Sequence, residues 1–119
     1  MKILVIEDNP SHLKLAHHVL SAAGYNVSSI EGTEQALAAF KTDKPQLILL
    51  DLELPGVKGL EFVRQLKADP ETAQIVVVAV TSYPEKYSKA DALEAGCVAF
   101  VVKPINTRTL PTQLEELIK

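Results

Sequence analysis

The sequence predicts an α/β domain built on five parallel strands with helices on both faces. Two observations carry that prediction. Apolar runs recur at residues 3–6, 47–50, 75–80 and 98–102, and Leu47, Ile48, Leu49 and Leu50 show no alternation, the habit of a strand covered on both faces. The runs are separated by stretches of helical spacing bounded by proline, glycine or capping residues, so the order is strand then helix, five times. A length of 119 residues, 47% hydrophobic and 23% charged, fits one globular domain large enough to bury a core.

The first strand, residues 2–6, ends on the acidic pair Glu7 and Asp8. Asn9 followed by Pro10 is a helix start, a capping side chain and then a proline whose fixed φ suits the first helical position. Leu13, Ala16, Leu20 and Ala23 share one face of that helix, Gly24 supplies its C-terminal cap, and Leu15 falls off the face and is expected to be exposed. Residues 25–30 form a weaker second strand and Glu31-Gly32 a turn. Residues 33–41 form a helix with Thr33 at its N-cap and Ala36, Leu37 and Phe40 inward. The turn Asp43-Lys44-Pro45 leads into the third strand, which stops at Asp51 and breaks into Pro55-Gly56. A helix from about residue 57 turns Leu60, Val63 and Leu66 to the core and ends near Asp69-Pro70, where proline forbids continuation. The β-branched run 75–80 ends at Thr81, and residues 85–95 form a modest helix closed by Gly96. Residues 98–102 make the fifth strand, ending at Lys103-Pro104. Residues 107–118 make the last helix, with Leu110, Leu114, Leu117 and Ile118 available for the core.

Each strand-helix-strand unit crosses over right-handedly, so the five units give a doubly wound sheet, for which the flavodoxin-like order 2-1-3-4-5 is the natural choice at this size. That order lines up the carboxyl ends of strands one, three, four and five. Their terminal residues are Glu7 and Asp8, Asp51, Thr81 and Lys103. One aspartate before a turn reads equally as a local side-chain-to-backbone hydrogen bond, but independent turn residues would not supply three acids, a hydroxyl and an ammonium at one sheet edge. Clustered carboxylates without Cys or His suit a hard cation such as Mg²⁺. A carboxylate beside that ion can attack a phosphoryl group, whose oxygens the metal, a lysine and a hydroxyl donor would then stabilise.

Composition excludes other classes. A net charge of −3 and a pI near 5.6 offer no basic field for phosphate backbones, so direct nucleic-acid binding is not expected. The single cysteine, Cys97, cannot form an internal disulfide and reads as a small buried hydrophobe in a reducing compartment. With neither a signal-peptide pattern nor an apolar stretch of membrane-spanning length, the chain is expected to be cytoplasmic and off the membrane.

These motifs, Glu7-Asp8 after the first strand, Asp51 with Leu54-Pro55 and Gly59, Thr81-Ser82 after the fourth and Lys103-Pro104 after the fifth, resemble the receiver domains of two-component response regulators along essentially the whole chain. The resemblance implies that Asp51 accepts a phosphoryl group from a phosphohistidine on a histidine kinase or phosphotransfer protein. It implies that Asp8 and Asp51, with Glu7 behind them and the backbone carbonyl of Glu53, hold Mg²⁺, for which Mn²⁺ substitutes. Thr81 would hydrogen-bond one phosphoryl oxygen, Lys103 would pair with another, and the Lys103-Pro104 bond would be cis. Phe100 matches the switch aromatic, turning inward with Thr81, so that phosphorylation shifts the surface of the fourth helix, fifth strand and fifth helix toward an effector-binding form. The partner surface would lie around Lys86, Lys89, Ala90 and Leu93. Asn9, Ser11, His12 and Leu15 fall where relatives dock kinase helices. The domain would be a monomer or a weak, phosphorylation-linked dimer, a phosphoacceptor rather than a turnover enzyme.

Glu53 and Tyr83 depart from the commonest pattern and flank the path of an attacking water, so they are expected to set the lifetime of the phosphorylated state. His12, His17 and His18 read as a solvated helix face with no partner ligands. Two other readings stay open. Met1 directly before the first strand favours a native start, whereas the end at Lys119 fits equally a receiver belonging to a longer regulator or hybrid kinase. An aspartate-nucleophile phosphatase would use a related sheet, but such enzymes generally carry a second aspartate where this chain has Glu53.

Overall fold

The computed structural model describes residues 2–32, 35, 36, 38, 40, 44–53, 59–82 and 89–118. Along these run β1 (Lys2–Ile6), α1 (Pro10–Ala22), β2 (Asn26–Ile30), β3 (Leu47–Asp51), α2 (Gly59–Ala68), β4 (Val76–Thr81), α3 (Lys89–Ala95), β5 (Ala99–Val102) and α4 (Leu110–Leu117). The strands form one parallel sheet in the order β2-β1-β3-β4-β5, the flavodoxin-like order expected. Between β2 and β3, Gln35, Ala36 and Ala38 are helical, and Ala36 and Phe40 are buried. Thr33 and Leu37 of that expected helix, Asp43 of the following turn, Leu54 to Gly56, the expected start of α2 near residue 57 and residues 83–88 lie outside the described residues.

Because side chains alternate across a strand, each inner strand feeds two cores. On one face Leu4, Ile6, Ile48, Leu50, Val77 and Ala79 pack with Phe62, Val63 and Leu66 of α2 and Ala92 and Ala95 of α3. On the other, Ile3, Val5, Leu47, Leu49, Val78 and Val80 pack with Ala16 and Leu20 of α1 and Leu110 and Leu114 of α4. Helices therefore cover both faces, which is why β3 could read as uniformly apolar. Cys97 is buried in the first core, and burial pushes its thiol up to about 11, as a small hydrophobe rather than a reactive group.

Local signals set the helix ends. The Asn9 side chain accepts from the Ser11 and His12 backbone N–H groups at 3.0 and 3.2 Å, satisfying donors the first turn cannot. Gly24, with φ +98°, closes α1, its N–H donating to the Ser21 carbonyl while the Tyr25 N–H returns to that of Leu20. Gly96, φ +124°, closes α3 by the same paired bonds, to Leu93 and Ala92.

Two expectations are corrected. Ala23 is exposed, because it is the cap residue that follows α1 and lies outside the helix. The last helix begins at Leu110, not at residue 107. Residues 107–109 form a turn that the Asn106 side chain holds by accepting from the Arg108 and Thr109 N–H groups, and Pro111, lacking an N–H, cannot bond back into a turn of helix before it.

Candidate functional site

The ends of β1, β3, β4 and β5 converge at one edge of the sheet because the register is in step: Ile6 pairs with Leu50, Asp51 with Val80 and Thr81 with Val102. Each strand therefore delivers its terminal polar residue to the same place. Glu7, Asp51 and Thr81 are buried, whereas Asp8 is exposed at the rim. One carboxylate oxygen from each of Glu7, Asp8 and Asp51 lies within 4.8 Å of the other two.

The Lys103 ammonium enters from beyond β5, lying 2.5 Å from Glu7 Oε1 and 3.6 Å from Asp51 Oδ2. Its side chain is only 10% exposed. Burial pulls its pKa down, but hydrogen bonding to Glu7 and the charges of Asp51, Glu7 and Glu53 outweigh that and hold it above the ordinary value, so it is cationic. Asp51 is pushed above the usual carboxylate range, first by burial and then by the Glu7 carboxyl. The peptide bond between Lys103 and Pro104 is cis.

Glu53 takes a position that the sequence did not disclose. Its backbone N–H donates to Asp51 Oδ1 at 3.0 Å, folding the chain back at the end of β3. Its carboxylate then reaches across to β4, where Oε1 accepts from the Thr81 hydroxyl at 2.9 Å and from the Ser82 N–H at 2.6 Å. Oε2 is buried, and no donor among the described residues reaches it. Burial, and then the neighbouring Asp51 carboxyl, raise the Glu53 pKa. The expectation for Glu53 concerned its charge beside a water path; the direct hydrogen bond to Thr81 depends on a side-chain rotamer that only the packed neighbours select. The Ser82 N–H was also missed, although Thr81-Ser82 had been singled out as a unit. Tyr83, its expected companion, lies outside the described residues.

The histidine reading is corrected in two places. His12, although 46% exposed, brings Nδ1 to 3.0 Å from the Lys103 ammonium and 3.7 Å from Glu7 Oε1. His17 Nδ1 lies 2.5 Å from the Ser29 hydroxyl, since α1 packs over β2. His18 is exposed. Asn9, Ser11, His12 and Leu15 form an exposed ridge beside the acids, with Leu15 44% exposed. Phe100, half-buried on β5, packs against the α2/α3 core. Gly59 lies where α2 approaches the end of β3, and a Cβ there would meet Leu52 Cδ2 at 3.2 Å.

The arrangement brings a buried carboxylate, a lysine cation and the Thr81 hydroxyl and Ser82 N–H to one open edge, next to oxygen ligands suited to a hard cation. A family model described as the response regulator receiver domain matches residues 3–115. The phosphate regulon transcriptional regulatory protein PhoB of Pseudomonas aeruginosa is 35% identical over 117 residues, covering 98% of this chain and 51% of PhoB, so the chain spans about half the length of that relative. The polar-differentiation response regulator DivK of Brucella anthropi is 36% identical over 104 residues, 87% of this chain and 85% of DivK. The crystal structure of the receiver domain of the sensor histidine kinase PA1611 from Pseudomonas aeruginosa PAO1, with a magnesium ion coordinated in its active site cleft, matches with a TM-score of 0.88 at 26% identity, covering 98% of this chain and 96% of that one. Strand order and the near-complete span of the family model agree, and the chain belongs to the response regulator receiver domains of two-component signalling.

Proposed function

We propose that this domain is a phosphorylation-activated switch whose acceptor is Asp51, charged by a phosphohistidine of a histidine kinase or phosphotransfer protein. The observation that carries this reading is the placement of Asp51, buried at the end of β3 with the Lys103 ammonium 3.6 Å away and Glu7 and Asp8 carboxylate oxygens within 4.8 Å. An Asp51 oxygen attacks phosphorus, the P–N bond to the donor imidazole breaks, and the imidazole leaves with the electron pair and takes up a proton. Lys103 pairs with one oxygen of the transferred group. The hydroxyl of Thr81, at the end of the adjacent strand, takes another.

The donor set fits a divalent magnesium ion, with Mn²⁺ as a substitute: Asp8 and Asp51 would hold it, aided by the Glu53 carbonyl, with Glu7 behind them. When bound, such an ion neutralises charge on the transferring group. Engagement of Thr81 draws Phe100 inward and shifts the surface of α3, β5 and α4, where Leu93, Val98 and Val102 are 43%, 45% and 45% exposed. That surface meets the downstream effector protein, and phosphorylation either leaves the domain monomeric or favours a weak dimer. The ridge of Asn9, Ser11, His12 and Leu15 docks the phosphodonor. Tyr83 and Glu53 together tune the lifetime of the phosphorylated state. Cytoplasmic location suits this role, and no helix among the described residues is long and apolar enough to cross a membrane. As in PhoB, of which the chain covers 51%, the domain also fits as the receiver part of a longer regulator. A phosphatase would need an acid free to protonate a leaving group, and Glu53 is instead tied to Thr81 and Ser82.

The test is the intact mass of the protein after incubation with acetyl phosphate and Mg²⁺. A single phosphoryl adduct is expected, absent with EDTA and absent in Asp51→Asn. An adduct that persists in Asp51→Asn, or none in the wild type with either acetyl phosphate or a phosphorylated phosphotransfer protein, overturns the assignment.

A further inference from the structure

At the β4 end of the site, two donors converge on one anionic oxygen. The Thr81 hydroxyl and the Ser82 N–H both bond Glu53 Oε1, at 2.9 and 2.6 Å. Both groups follow directly on Val80, the β4 residue that pairs with Asp51 in the sheet and whose carbonyl still accepts from the Leu52 N–H. We propose that the Glu53 carboxylate is an internal stand-in for a phosphoryl oxygen, holding Thr81 and Ser82 in the resting domain until a group on Asp51 displaces it. The inference rests on the reading of Asp51 as acceptor and adds to it a competitor that is part of the chain itself.

Three features support displacement rather than a permanent structural bond. The second Glu53 oxygen is buried with no donor among the described residues, so burial costs that oxygen hydration that no described partner returns. The Glu7 and Asp51 carboxylates already share the Lys103 ammonium at 2.5 and 3.6 Å, Glu53 follows Asp51 by two residues and bonds it through its N–H, and adding a phosphoryl dianion beside these acids deepens the like-charge repulsion. Glu53 is partly exposed, so a route outward to water exists. A phosphoryl group offers three oxygens to the same donors and releases the unpaired carboxylate to solvent. Glu53 is thus a positioning residue: it fixes the switch hydroxyl in its resting place and raises the threshold for occupation of the site.

The decisive experiment measures the affinity of beryllofluoride, a phosphoryl analogue, in the presence of Mg²⁺ for wild type, Glu53→Ala and Glu53→Gln, with the Ser82 amide resonance followed by NMR. Glu53→Ala is expected to bind about tenfold more tightly, the scale of a charge-assisted hydrogen bond released from competition. Glu53→Gln, which keeps the oxygen but not the charge, should fall between. The Ser82 resonance should differ between wild type and Glu53→Ala without the analogue and coincide at saturation, a convergence that a purely structural role would not produce. Equal affinities for wild type and Glu53→Ala, or a Ser82 difference that survives saturation, overturn the proposal while leaving Asp51 as acceptor. Glu53→Gln binding as tightly as Glu53→Ala also overturns it, since charge repulsion alone then suffices. If none of the three binds and Asp51→Asn behaves identically, the acceptor reading itself falls.

Discussion

Asp51 sits among carboxylates with, among the described residues, the Lys103 ammonium to compensate them, and its raised pKa has a consequence for the resting domain. A carboxyl whose folded pKa is raised contributes stability while protonated, below its unfolded value of about 3.9, and that contribution is lost as pH rises through the folded value. At neutral pH the ionised Asp51 therefore destabilises the fold, and Asp51→Asn should stabilise it by about 1 kcal/mol, raising the melting midpoint by roughly 3–6 °C. The gain should shrink as the pH is lowered and the wild-type carboxyl takes up its own proton; thermal melts in the absence of divalent cations at several pH values check this, and a gain independent of pH would refute it. The same residue was legible in the sequence because a strand end is fixed by register, and so were Glu7, Asp8, Thr81 and Lys103. The inward turn of Glu53 and the contacts of His12 and His17 were not, since each depends on a side chain finding a partner distant in the sequence.

At the scale of elements, the strands and helix ends follow from local chemistry wherever one residue type is demanded. Gly24 and Gly96 illustrate how the same cap carries different weight. Both have positive φ, but a Cβ on Gly24 would meet nothing within 4 Å, whereas on Gly96 it would meet Lys67 Cγ at 2.6 Å. Lys67 cannot simply move aside, because its ammonium donates to the Ala73 and Ile75 carbonyls at 3.0 and 2.6 Å. Gly24→Ala is expected to cost about 1 kcal/mol, the backbone strain alone, and Gly96→Ala roughly 2–3 kcal/mol, because two hydrogen bonds are disturbed as well. Urea denaturation measures both, and equal losses would show that Lys67 repacks freely. The sequence placed both glycines correctly, since only a cap demands that residue there. It placed the start of α4 at residue 107, whereas the Asn106 side chain holds 107–109 as a turn and Pro111 stands at the start of the helix itself. It likewise assigned Ala23 to the core from its spacing, although the helix ends before that spacing can act.

For the whole molecule, the decisive asymmetry is that the sheet collects its acids at one edge while its two apolar cores hold the strands together along their length. The uniform apolar runs that made the fold legible are a property of the complete sandwich, as is the edge itself, which exists only once β1, β3 and β4 are in register. A cation that binds this edge binds only the folded state, so it must raise the stability of the entire domain by mass action, by about 2.7 kcal/mol when its concentration is a hundredfold above the dissociation constant. Mg²⁺ is therefore expected to raise the melting midpoint of the wild type in a saturable manner and EDTA to reverse it, with Asp8→Asn and Asp51→Asn showing little response. Because the cation favours the ionised carboxylates, it opposes the burial and Glu7 effects that raise the Asp51 pKa, and the Mg²⁺-dependent increment should fade as acid protonates the site. Asp51→Asn and Mg²⁺ thus relieve the same crowding of charge by different means, and their stabilising effects at neutral pH should be less than additive. Full additivity in a double experiment would mean that Mg²⁺ binds elsewhere on the chain.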